Sequence, residues 1–346
     1  MRRIDHLDTL RGFALCGIIF ANAPALLHLS PIRDDRPDPV YTALGYLVDE
    51  RFFPVFATLF GLSLALMWRT TRERTASPRR VLAQRLIAIG VLGGLHQLFQ
   101  PGEALLPYAL AGLLVLLPAT LLPDRWVPVC AGVVGAVLLA DALATTAGVT
   151  TVPGLFLIGY AVGMADVPAR IEAARDRGGR AVGAVTALVV CAALTAAVTA
   201  AALQYADPRL SAAAGIVTAA AYSALVVAAD RGLGHRLLTP LRLLGRTALT
   251  NYLGATAALI ALRAVAAPLG LGTEDPQAWP RMTIACVVIL VCQAAVTALW
   301  LRRFAQGPME HLVRTVSRWG ARPAVAAPVS ADPTEEGPAP LAATYR

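Results

Sequence analysis

An all-α membrane protein, a polytopic bundle of about ten transmembrane helices with both termini in the cytoplasm, is the fold class predicted here, and three observations carry it. Of 346 residues, 57% are hydrophobic and 15% charged, and the mean hydropathy is positive. No soluble domain of this length has a surface able to hide that much apolar side chain. Apolar runs near 10–29, 52–68, 82–100, 104–122, 126–147, 151–165, 181–203, 210–229, 247–267 and 282–301 each approach the length that crosses a hydrocarbon core. Every basic residue is Arg, and the arginines gather in alternate connections between those runs.

The first span, within residues 4–28 (IDHLDTLRGFALCGIIFANAPALLH), carries Asp8, Arg11 and Asn22. At ~100° per residue, Asp8 and Arg11 lie one turn apart as an ion pair, and Asn22 returns to nearly the same face ~16 Å further along. Polar groups cost several kcal/mol in hydrocarbon unless paired, so this stripe faces other helices or a wet cavity. Met-Arg-Arg before the run and Ala21-Asn22-Ala23 within it mimic a signal peptide, but Arg11 and the many later spans predict an uncleaved helix.

With both termini inside, the connections after spans two, six and eight hold the dense clusters: Arg69 to Arg85, Arg170 to Arg180, and Arg231 to Arg246. Outer connections keep Arg33, Arg36, Arg51, Arg209 and Arg281. This asymmetry accounts for the net charge of +8 better than nucleic-acid binding does. The basic loop 166–180 divides the chain into an N-terminal half, 1–166, and a C-terminal membrane domain, 167–320. The Pro-, Ala- and acid-rich 321–346 reads as a disordered cytoplasmic tail. Pro107, Pro118 and Pro153 are expected to break or kink their helices. Five cysteines sit inside apolar segments without metal-type spacing, which predicts neither a disulfide framework nor a metal site.

The halves differ in chemistry. Spans one to four and their connections hold Asp8, Arg11, Asn22, Asp49, Glu50, Arg51, His96, Glu103 and Tyr108. Spans seven, eight and ten carry no charge and are rich in small residues, as in CAALTAAVTAAAL, which suits close helix packing in lipid. Span nine is the exception, placing Asn251, Tyr252 and Arg263 within or beside the membrane.

LDTLRGFALCGIIFAN, RFFPVFATLFG at 51–61, RLIAIGVLGGLHQLF at 85–99 and PYALAGLLVLL at 107–117 resemble the YeiB-like bacterial membrane proteins. LGRTALTNYL at 244–253 and GPMEHLVR at 307–314 resemble the C-terminal domain of unknown function in that family. The N-terminal half is also similar to the wider transmembrane acyltransferases, which include heparan-alpha-glucosaminide N-acetyltransferase. There an LDxLRG opening is followed, eleven positions after the Arg, by a polar residue, here Asn22. Glu103 stands where the YeiB-like pattern has Asp, and Ala255-Thr256 replaces a Gln-Ser pair. The resemblance implies a multi-pass protein of the bacterial plasma membrane, no bound cofactor, and acyl-CoA as co-substrate.

Moving an acyl group from a cytoplasmic thioester to a glycan, lipid or small-molecule acceptor needs a cation for the carrier's phosphates, a base and an oxyanion donor. Arg11 and the 69–85 loop suit the first role, His96 the second with Glu103 orienting its ring, and Asn22 the third. Arg51, Asp8, Asn251 and Tyr252 complete the substrate-binding candidates. Each has a structural alternative: Asp8–Arg11 anchors a helix end, His96 packs beside Gly93 and Gly94, and Asn22 bonds a neighbouring helix. Two other functions stay open: a small-molecule transporter, disfavoured because polar, broken helices do not recur in both halves, and a non-catalytic partner or sensor.

Overall fold

The computed structural model describes residues 5–30, 32–33, 36–173, 207–232, 237–272 and 275–322, together with Leu194, Thr195, Ala197 and Thr199. Apart from a two-residue antiparallel pairing of Ile32–Arg33 with Arg36–Pro37, the regular structure among the described residues is helical. The helices are α1 (Asp5–Leu27), α2 (Pro39–Leu47), α3 (Phe52–Arg72), α4 (Pro78–His96), α5 (Leu105–Ala119), α6 (Val127–Thr145) and α7 (Val152–Met164). There follow α8 (Val167–Ala173), α9 (Pro208–Gly232), α10 (Thr239–Arg246), α11 (Ala248–Ala264), α12 (Ala278–Trp300) and α13 (Pro308–Ser317).

Five stretches are long and apolar enough to cross a membrane: Asp5–Leu27, Pro39–Arg72, Val127–Thr145, Pro208–Asp230 and Ala278–Trp300. The other predicted spans fall on helices that are shorter or charged. Arg79, Arg80 and Arg85 interrupt α4, while α5, α7 and α11 are too short to cross without local thinning of the bilayer. The span predicted at 181–203 lies outside the described residues except for four positions, and so does 323–346 of the predicted tail.

Two of the three prolines act differently from expectation. Pro153 stands at the start of α7, and Pro107 in the first turn of α5, where a missing N–H costs nothing because no intrahelical partner exists there. Both start helices. Pro118 follows a π-turn over Gly112–Leu116, which absorbs the carbonyl that a proline leaves unpaired.

Helix α1 is the central post. Its first half packs with α3 and α9 through Leu7, Leu10, Ala14, Leu59 and Val226, and its second half with α11 and α12 through Ile19, Ala23, Leu259 and Met282. A third group joins Leu15 to Ile89, Ala109, Leu244, Tyr252 and Val313. Helices α3 to α7 form their own core around Tyr108, Phe156 and Tyr160. Where α1 crosses α10 the backbones touch: a Cβ at Gly12 would overlap the Leu241 carbonyl, and one at Gly245 the Asp8 carbonyl. Gly61 and Gly159 permit the same approach between α3 and α7. Small residues are the means by which helices associate in lipid, where burial supplies no driving force between them.

The connections sort to two ends. Arg69 Nη1 donates to Asp166 Oδ1 at 2.7 Å and Arg72 pairs with Asp124, tying the end of α3 to the α5–α6 and α7–α8 connections. Thr75 Oγ1 and the Ala76 N–H donate to the Arg322 carbonyl at 2.7 and 3.2 Å. At the opposite end Trp279 Nε1 donates to the Ser30 carbonyl at 2.9 Å, and Thr256 Oγ1 to Gln100 Oε1 at 2.6 Å.

Replacing Gly245 with Val drives a branched side chain into the α1 backbone, and overpacking of this kind costs ~1–3 kcal/mol or more. The expected outcome is a fall of several degrees in the unfolding midpoint of detergent-purified protein, with Gly94→Val, at a glycine with open space around its Cβ position, as the near-neutral control.

Candidate functional site

A cavity enters the bundle at the end where α1 begins. Its outer part has a volume of about 920 Å³ and is lined by α1, the end of α3, the start of α4, and α13. An inner chamber of about 330 Å³ shares Arg11, Met67, Arg85, Arg246 and Glu310 with it, so those five residues form a neck between the two. Beyond the neck the walls turn apolar, with Phe56, Phe60, Leu64, Ile89 and Leu105, and the chamber reaches Tyr252. The other side of Tyr252 bounds a void of about 10 Å³ that Asn22, Ala255 and Thr256 also line.

The glycine contact between α1 and α10 builds the neck, because Arg11 precedes Gly12 and Arg246 follows Gly245. Arg11 donates from Nη1 to Asp8 Oδ1 and from Nη2 to Ser63 Oγ, both at 2.7 Å. Glu310 is held by the start of α11. Its Oε1 accepts from the Leu249 and Thr250 N–H groups at 2.7 and 3.2 Å, and its Oε2 from Thr250 Oγ1 at 2.6 Å. The Met309 N–H donates back to Thr250 Oγ1 at 3.1 Å. This is a helix cap supplied from another helix, with the carboxylate at the positive end of the α11 dipole. Among the described residues, Arg85 and Arg246 make no hydrogen bond or ion pair, and Arg246 Nε is buried without a partner. At the outer rim, partial burial and then the neighbouring guanidiniums of Arg314 and Arg74 pull Arg318 below its ordinary pKa.

A second polar group lies behind Tyr252, at the far end of α4. His96 is 7% exposed, and its ring meets that of Tyr252 edge-on with centroids 5.2 Å apart. Its Nδ1 is 3.5 Å from Glu103 Oε2, while Nε2 is buried without a partner among the described residues. Glu103 is occupied mainly elsewhere: its two oxygens accept from the Leu105 and Leu106 N–H groups at 2.6 Å each and so cap α5. The capping role is the stronger interaction, since a contact at 3.5 Å lies at the limit of hydrogen bonding. Gly93 makes room for this turn, as a Cβ there would meet Glu103 Oε1 and the Leu106 nitrogen. Tyr252 Oη is 3.5 Å from the Ala104 nitrogen.

Of the residues singled out in the sequence, Asp8 and Arg11 line the outer cavity, Tyr252 the inner chamber, and Asn22 the small void. His96 and Glu103 form the group behind Tyr252. Asn251 points away. Its Nδ2 donates to the Leu244 carbonyl at 3.2 Å and to the hydroxyls of Thr247 and Thr297 at 2.9 and 3.3 Å, pinning α11 to α12. Arg51 is buried where α2 meets α3, donates to the Asp49 carbonyl, and lines none of the three cavities. Sequence reasoning passed over Arg246, Glu310, Arg314 and Arg318. The signal was in view, since Arg246 lies in LGRTALTNYL and Glu310 and Arg314 in GPMEHLVR.

Residues 170–320 match the family model described as "Protein of unknown function (DUF418)". The chain is 28% identical over 343 residues to the "Uncharacterized 39.9 kDa protein in amylase 3'region" of Bacillus acidopullulyticus, covering 91% of this chain and 94% of that protein. It is 29% identical over 147 residues to the uncharacterized protein YxaH of Bacillus subtilis, 35% of each. It is 31% identical over 124 residues to the uncharacterized protein YeiB of Escherichia coli, 33% of this chain and 30% of that one. No solved structure matches the chain. None of these descriptions states an activity, so the acyltransferase resemblance rests on the residues alone.

Glu310→Ala removes the α11 cap and is expected to cost ~1–2 kcal/mol. Hydrogen exchange read by mass spectrometry should then show faster exchange in peptides covering Leu249 and Thr250, with little change in α6.

Proposed function

We propose that the chain, a YeiB-like membrane protein, transfers an acyl group from a cytoplasmic acyl-CoA to a glycan, lipid or small-molecule acceptor in the bacterial cell envelope. The reading takes the bundle to have ten spans in the plasma membrane with both termini inside, which sets the arginine-rich end toward the cytoplasm. The observation that carries it is the continuous cavity, wide and arginine-lined at that end, narrowing to an apolar chamber that ends on Tyr252. Phosphates suit the guanidiniums, and a slender pantetheine arm suits the chamber.

His96 and Arg85 are eleven residues apart on α4, ~16 Å along the axis. A pantetheine arm has about twelve backbone atoms, equivalent to roughly four residues, and extends ~14 Å. A carrier whose diphosphate sits at Arg85 therefore sets its thioester near Tyr252 and His96. The acceptor's hydroxyl or amine forms a bond to the thioester carbonyl carbon, and the π electrons move to oxygen, where the Asn22 amide can donate. Collapse of that adduct breaks the C–S bond. The acceptor's proton passes to His96 Nε2 and then to the departing sulfur. The Tyr252 ring separates His96 from the chamber, so the reading requires that ring to move aside when the acceptor binds.

Purified protein in lipid, given acetyl-CoA and a membrane extract, should release free thiol. His96→Gln should cut that release by about a hundredfold or more while the protein stays inserted. Glu103→Gln should lower it less and also lower stability, because the residue caps α5. Near-normal turnover in His96→Gln would reduce the histidine to packing. Orientation is checked separately by cysteines placed in 69–81, 166–180 and 230–246. Ready labelling of any of them from outside intact cells would overturn the both-ends-in arrangement.

A further inference from the structure

We propose that the cavity reads two separate phosphate groups on its ligand: a diphosphate at the neck, on Arg11, Arg85 and Arg246, and a phosphate monoester at the rim, on Arg74, Arg314 and Arg318. The identity of the ligand rests on the acyl-CoA reading. The step beyond it is that the C-terminal half supplies much of the binding site, and that the 3′-phosphate of the nucleotide is a recognised feature.

The neck demands an anion on charge grounds. Of the charged residues lining the outer cavity, only Asp8 and Glu310 are acidic, and both are engaged, one with Arg11 and the other with the start of α11. Arg85 and Arg246 make no hydrogen bond or ion pair among the described residues, although both stand at a constriction inside the bundle, and Glu310, whose charge Arg85 feels through space, has both oxygens committed to the start of α11. Guanidiniums removed from water without a counter-charge carry a penalty that a bound diphosphate removes, and their planar forks match phosphate oxygens bidentately.

The rim is a second cluster of like charge, in which Arg74, Arg314 and Arg318 form no ion pair among the described residues. Arg314 Nη1 has a weak contact with Gln306 Oε1 at 3.4 Å, and Arg318 sits one turn on, facing Arg74 from the end of α3. Mutual repulsion keeps these side chains at the rim only at a cost, which a dianionic monoester offsets. The order of widths agrees with the order of groups in the carrier. The outer part, about 920 Å³, takes the nucleoside with its 3′-phosphate, the neck takes the diphosphate, and the 330 Å³ chamber takes the arm.

Full-length protein in phosphatidylcholine nanodiscs, titrated calorimetrically with CoA and with dephospho-CoA, tests the assignment. CoA is expected to bind about tenfold more tightly, the effect of one charge-assisted phosphate contact. Arg314→Gln with Arg318→Gln should bring CoA down to the affinity of dephospho-CoA and leave the latter unchanged. Both arginines are exposed, so the double variant keeps the fold. Arg246→Gln should weaken both ligands alike, with Arg246→Lys intermediate. Equal affinities for the two ligands in the unmutated protein would overturn the rim site while leaving the acyl-CoA reading intact. No binding of either would overturn both. CoA affinity that collapses when anionic lipid is added to the disc would assign the phosphates to a lipid headgroup and overturn the proposal.

Discussion

The backbone contact between α1 and α10 is the interaction on which the rest depends. In lipid two helices gain little by burying apolar side chains against each other, so a stable crossing needs van der Waals contact over a close approach. Gly12 and Gly245 supply that approach, each lying against a carbonyl of the other helix. The two arginines next to them in sequence are thereby carried into one neck. Structure and candidate chemistry thus share a cause: the packing that joins the halves also assembles the positive site.

Placing arginines inside a bundle is expensive, and the structure offsets part of the expense unevenly. Arg11 is satisfied by Asp8 and Ser63. Glu310, which faces the charge of Arg85, spends both oxygens on the start of α11. What remains is a surplus of positive charge around a water-accessible opening, a pattern suited to a ligand that arrives with its own negative charge.

The polar residues of the opposite end divide differently. Glu103 caps α5, Gln100 and Thr256 join α4 to α11, and Asn251 with Thr247 and Thr297 joins α11 to α12. Each of these groups is costly alone and inexpensive once bonded, so satisfying them specifies which helices are neighbours. His96 departs from this pattern: among the described residues its Nε2 is buried without a partner, as is the neighbouring Gln97 Oε1. Unsatisfied buried groups in native structures ask for an explanation, and a proton-accepting role supplies one.

Composition and periodicity determined that this is a helical membrane protein, because a run of apolar residues has one fate in lipid wherever it stands in the chain. The arginine clusters predicted that the connections after spans two and six share an end, and the Arg69–Asp166 ion pair joins those two connections. The LDTLRG stretch marked Arg11, since charge within an apolar run is visible locally. What only the tertiary structure decided is partnership between distant residues. Gly12 announces a close approach but not that its partner lies at 241–245. Glu310 reads as a surface acid until α11 begins beside it, and Asn251 reads as a site residue until Thr297 takes its amide. Local pattern records the environment a residue needs, whereas its partner is set by how helices far apart in sequence come to cross.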